Sequence, residues 1–159
     1  MSNNKRGLWY WISAWLPVVL GIALIVLEST ELFGADHTSS PLRWLYELLF
    51  GHVSNARWGI IHHLIRKSGH FLGYGFIGLA WLRAWWMTLL RSRFLHDAFL
   101  ALLGTALLAS WDEWHQGFLP NRTGSVSDVL LDCCGAITLE LIVYIAMRQW
   151  KPKNLARAE

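Results

Sequence analysis

Apolar residues gather in four long stretches separated by polar segments of unequal length. The first, Leu8 to Leu27, runs for twenty residues without a charge. As a helix it would be about 30 Å long, the thickness of a bilayer's hydrocarbon core. Three further stretches, at about 69–90, 98–118 and 129–147, have similar lengths, but each carries polar residues. The pattern predicts an all-α integral membrane protein with four transmembrane helices. Lys5 and Arg6 precede the first stretch as in a secretory leader. Its length, and the Glu28-Ser29-Thr30-Glu31 that follows in place of a small-x-small cleavage pattern, predict a retained anchor.

The long connection, residues 28–66, exceeds an ordinary loop and calls for structure of its own. Ser39-Ser40-Pro41 reads as a helix start, with serine as cap and proline at the first helical position. Leu42, Leu45, Leu48 and Leu49 then recur at helical spacing, predicting a short amphipathic helix at the membrane interface. Ile60, Ile61, Leu64 and Ile65 suggest a second one leading into the 69–90 span. Basic residues set the orientation through the positive-inside rule. Lys5 and Arg6, Arg91 and Arg93, and the tail residues Arg148, Lys151, Lys153 and Arg157 fit cytoplasmic N- and C-termini. The expected organisation is one membrane domain over 1–150 and a short polar cytoplasmic tail over 151–159.

Composition supports this picture. Of 159 residues, 54% are apolar and 16% charged, too apolar a balance for an ordinary soluble domain. Many of the eleven tryptophans flank the apolar stretches, where an indole suits the headgroup layer. The formal charge of +3 is modest and the basic residues form no stripe, which argues against nucleic-acid binding. Cys133 and Cys134 are adjacent in an apolar run and read as small hydrophobes, not as a disulfide.

Polar residues on three of the predicted spans fall towards the same membrane face. Lys67, His70 and Tyr74 sit at i, i+3 and i+7, one helical stripe. Asp128 and Asp132 are four apart, with Gly135 near by to permit close helix approach. The uncharged run from Ala98 to Trp111 covers only about 21 Å, so the third helix must continue through Asp112, Glu113 and Gln116. Glu113 and Gln116 share a face, making Glu113 the preferred site carboxylate, whereas Asp112 and His115 are expected to point elsewhere, with Asp112 solvated. The turn-rich Pro120 to Ser125 segment hangs Arg122 over the outer mouth, and Ser125 and Ser127 can cap the fourth helix. Singly, Lys67 can snorkel, Tyr74 can anchor at the interface and Asp128 can offset a helix dipole. Jointly these explanations leave the shared face unexplained. Deeper in the bilayer, Arg83 and Glu140 lie about 21 and 16 Å from the outer ends and are expected to form a structural ion pair.

The order Lys67-Ser68-Gly69-His70-x-x-x-Tyr74, Glu113-x-x-Gln116-x-x-x-Pro120-x-Arg122, Asp128-Val129 resembles the VanZ-like family of bacterial membrane proteins over roughly residues 60–140. The resemblance implies a multi-pass protein of the bacterial cytoplasmic membrane, linked through the family's founding member to glycopeptide, chiefly teicoplanin, resistance. By position it carries over Lys67, His70, Tyr74, Glu113, Gln116, Arg122 and Asp128. The family usually has asparagine where Asp132 stands, and often an acid where Gly73 stands. Ser68-Gly69-His70 also echoes membrane phosphatidic acid phosphatases, but Ser92-Arg93 is followed by Phe99 where their second histidine belongs.

The leading expectation is an outward-facing site that binds or modifies a lipid-linked envelope intermediate. Lys67 and Arg122 would contact phosphate or carboxylate, with Tyr74, Gln116, Asp128 and Asp132 also binding ligand. In an enzymatic version His70 and Glu113 form the acid–base pair. A divalent cation bridging Asp128, Asp132 and Glu113 to a pyrophosphate would offset the acids, but the spacing is loose and the sequence assigns no metal or cofactor. Alternatives are a non-enzymatic interaction with another envelope component, or proton-coupled transport. Four spans with polar groups on one side make a poor through-path for transport. Membrane lipid is the expected partner.

Overall fold

Apolar side chains face outward along the long helices of this protein, and five acids are buried between them. The structure, a computed structural model, describes residues 7–89, 93–119 and 122–149. These form α1 (Leu8–Glu28), α2 (Ala35–Phe50), α3 (Asn55–Thr88), α4 (Phe94–Gln116) and α5 (Val126–Gln149), with a single 3-10 turn at Glu31–Phe33. No strand occurs among the described residues. Leu16, Leu20 and Leu24 of α1, Leu103 and Leu107 of α4, and Ile137, Leu141 and Ile145 of α5 are exposed, while Asp97, Asp112, Glu113, Asp132 and Glu140 are buried. Water would reverse that distribution, and a hydrocarbon solvent explains it.

Three helices, α1, α4 and α5, are long and apolar enough to cross a membrane. α3 is longer, 34 residues or about 51 Å, yet more polar, since it carries Arg57, His62, His63, Arg66, Lys67, His70 and Arg83. The fold is therefore a helical bundle with three candidate crossing helices, not clearly four. α3 is its centre, packing against α5 most extensively, then α4 and α1. Small residues make the α3–α5 approach possible: a Cβ added at Gly78 would lie 2.8 Å from Ala136 Cβ, and one at Gly135 would lie 2.0 Å from the Phe71 carbonyl oxygen. Ile25, Tyr74, Ile77 and Ala109 form the apolar core, with Ile22, Trp81, Leu108 and Val129 against it.

Three expectations need correction. The predicted second interfacial helix is not separate, since residues 60–65 belong to the unbroken α3. α2 begins at Ala35, not at the Ser39-Ser40-Pro41 cap, and contains Pro41 in its interior. Tertiary bonds order the extra turn: Trp58 Nε1 donates to Ser39 Oγ at 2.8 Å, and Thr38 Oγ1 lies 3.1 Å from His62 Nε2.

The third correction concerns Arg83 and Glu140, which do not pair. Arg83 Nη1 donates to the carbonyls of Ser13 and Ala14 in α1, at 2.6 and 3.3 Å. Pro17 lies inside α1 and has no N–H to offer the carbonyl four residues back, so Ser13 is left with an open acceptor that the guanidinium fills. Glu140 instead faces α3, with Oε1 buried near Gly78 and without a hydrogen-bond partner among the described residues. The tail 151–159 and the basic residues Lys5, Arg6, Arg91, Lys151, Lys153 and Arg157 lie outside the described residues.

Candidate functional site

The stripe on α3, the last turn of α4 and the first two turns of α5 meet at one end of the bundle. Lys67 forms an ion pair with Asp128 Oδ1. One turn deeper, His70 Nδ1 lies 3.5 Å from Asp132 Oδ1 without hydrogen-bond geometry. A further turn in, the Tyr74 hydroxyl donates to Asp112 Oδ2 at 2.9 Å. Helical spacing on α3 thus pairs with spacing of four on α5, giving a ladder of cationic or hydrogen-donating groups opposite carboxylates.

Asp112 corrects the sequence reading: it is 2% exposed, not solvated. Its Oδ2 also accepts from Gln116 Nε2 at 3.1 Å, an i, i+4 bond along α4. Glu113 is buried as well, because the next loop folds over it. Ser125 N–H donates to Glu113 Oε2 at 2.7 Å, and Gly124 packs so close that a Cβ there would lie 2.1 Å from the Glu113 carbonyl oxygen. The Ser125 hydroxyl pairs with that of Ser127 at 2.6 Å, while the Ser125 carbonyl accepts from Asp128 N–H at the start of α5. His115 stacks on Trp111 at the rim.

The inner atoms of this cluster are left open. Asp112 Oδ1, Glu113 Oε1, both oxygens of Asp132 and His70 Nδ1 are buried without hydrogen-bond partners among the described residues. Buried polar groups are normally satisfied, so this concentration of exceptions marks a place shaped for something besides the chain itself.

Above the cluster lies a cavity of about 180 Å³ lined by His63, Arg66, Lys67, His70, Gln116, Arg122, Thr123 and Asp128. Arg122 is less free than its loop position suggests: its Nη2 donates to the carbonyls of Glu28 and Thr30, both at 2.9 Å, tying the loop to the end of α1. Burial and the like charge of Arg66 push its guanidinium below the ordinary value. A second cavity of about 190 Å³ adjoins, shares Arg66, His70 and Arg122, and adds Phe33, Leu42 and Ile65 as apolar lining. His63 and Arg66 were missed in the sequence. Positions 63, 67, 70 and 74 form one i, i+4, i+7, i+11 stripe, which was enough to find His63.

These features define a helical membrane bundle whose buried polar cluster sits beneath a basic cavity at one end. Within that class the chain belongs to the VanZ/LLP1 family, which it matches over residues 11–147. No curated protein and no solved structure matches it.

Proposed function

We propose that the polar end of the bundle binds the anionic headgroup of an amphiphile, a lipid-linked envelope intermediate, from the outer face of the bacterial cytoplasmic membrane. The supporting observation is the pair of adjoining cavities that share Arg66, His70 and Arg122, one polar and the other edged by Phe33, Leu42 and Ile65. An amphiphile needs both environments side by side. Phosphate oxygens suit the Arg66 and Lys67 side, since guanidinium and ammonium donors form charge-assisted bonds with them. The apolar edge suits the first methylenes of a chain.

In this reading α3 is the fourth crossing helix, its polar face covered by α1, α4 and α5, and the termini are cytoplasmic. An effect on glycopeptide susceptibility, teicoplanin included, follows if the bound intermediate is that antibiotic's target. An enzymatic version has support in His70, which lines the polar cavity, and in buried Glu113, whose Oε1 has no hydrogen-bond partner among the described residues.

The test is lipid binding to the full chain in nanodiscs. A polyprenyl diphosphate should bind at least tenfold more tightly than a zwitterionic phospholipid, and Arg66→Gln and Lys67→Gln should each remove most of that preference. Equal affinity for the two lipids, or variants that keep the preference, would sink the proposal. His70→Gln with unchanged turnover of a bound intermediate would remove the enzymatic version alone.

A further inference from the structure

We infer that the floor of the polar cluster is a divalent-cation site, with His70, Asp112 and Glu113 as ligands and Asp132 beside them. One nitrogen of His70 and one oxygen each of Asp112 and Glu113 lie within 4.8 Å of one another. Three donors on one tetrahedral ion at about 2.1 Å stand about 3.4 Å from one another, so closing on a metal needs a contraction of up to about 1.4 Å.

The second, independent observation is the state of the buried atoms. Asp112, Glu113 and Asp132 are 2%, 5% and 0% exposed, and each has at least one oxygen with no hydrogen-bond partner among the described residues. The outer sides of two ligands are already held. Tyr74 and Gln116 occupy Asp112 Oδ2, and Ser125 N–H occupies Glu113 Oε2, leaving Oδ1 and Oε1 available. Such outer partners orient metal ligands in known sites.

Charge points the same way. Lys67 is engaged by Asp128, and Arg122, held by backbone carbonyls, sets one positive charge near Asp112 and Glu113 against three buried carboxylates and one imidazole. A cation offsets that excess. An imidazole among carboxylates favours a first-row transition ion such as Zn²⁺ or Mn²⁺ over Mg²⁺ or Ca²⁺. The inference goes beyond the lipid reading and does not depend on it, because the metal alone is the probe.

The full chain in nanodiscs, stripped with chelator, is titrated with Zn²⁺ and with Mn²⁺ by calorimetry and metal analysis. One ion per chain should bind. Asp112→Asn and Glu113→Gln should each weaken binding at least tenfold, whereas His37→Gln and His52→Gln should not. No saturable site, undiminished binding in both acid variants, or saturation by Mg²⁺ or Ca²⁺ with Zn²⁺ and Mn²⁺ inert would overturn it. If the acid variants misfold, spin-echo spectra of Mn²⁺ on the wild-type chain decide: imidazole-nitrogen modulation supports the site, and its absence overturns it. Loss of lipid binding with metal binding intact would count against the lipid reading only.

Discussion

A methyl group on Gly135 would meet the backbone of α3. It would lie 2.0 Å from the Phe71 carbonyl oxygen, 2.9 Å from the carbonyl carbon and 3.2 Å from Cα. Since all three are helix backbone, no rotamer change relieves the overlap. Restoring an ordinary contact near 3.4 Å requires α5 to retreat by about 1.4 Å at that point. Overpacking a tight interface costs about 1–3 kcal/mol, and Gly135→Ala should fall at the upper end because rigid elements must separate. The displacement would also open the rungs one and two turns away, where Asp132 faces His70 and Asp128 pairs with Lys67. Gly73→Ala is the matched comparison. It lies on α3 with nothing within 4 Å of an added Cβ, so it should be neutral or gain about 0.5–1 kcal/mol from helix propensity. Unfolding in detergent micelles titrated with dodecyl sulfate, followed by tryptophan fluorescence, measures both. If Gly135→Ala proves as stable as the wild type, the close-packed seam between α3 and α5 is refuted.

Two further outcomes follow from contacts away from the cluster. Arg83→Gln should cost about 1–3 kcal/mol by stranding the Ser13 carbonyl, and much less in a Pro17→Ala background, where the restored N–H supplies a donor. A double-mutant cycle that finds the two sites additive would disprove this link. His62 lies in the loop-side part of α3, and burial first, then Arg66, lowers the pKa of its imidazole. A base with a depressed folded pKa contributes stability above its unfolded value, near 6.5, and loses it as pH falls through the folded value. Acidification below that range should therefore lower the amide protection factors in α2, and His62→Gln should abolish that loss of protection. Identical exchange profiles in the two proteins across that window would contradict the assignment.

The helices were largely legible because bilayer solvent writes a strong pattern. α1, α4 and α5 coincide closely with the uncharged or nearly uncharged runs. α3 was half-hidden because its polar loop-side half and its glycine-rich remainder look like two elements, and only packing on α2 and α5 makes them one helix. Within the cluster, spacing on α3 and α5 was enough to align Lys67 and His70 with Asp128 and Asp132. Asp112 escaped because, near the end of α4, the face occupied by Glu113 and Gln116 is wide enough to admit a third residue. Its partner Tyr74 lies 38 positions away. The Arg83–Glu140 expectation failed for a related reason. Depth places two side chains at a similar level but carries no information on azimuth, and a proline on a different helix created the acceptor that won.

α3 is one unbroken helix from Asn55 to Thr88. The turn that Trp58 fastens to α2 and the turn that Arg83 fastens to α1 are therefore two ends of one stiff beam, about 51 Å long. A push on the loop helix and the proline-interrupted rung of the first helix thus share one continuous element.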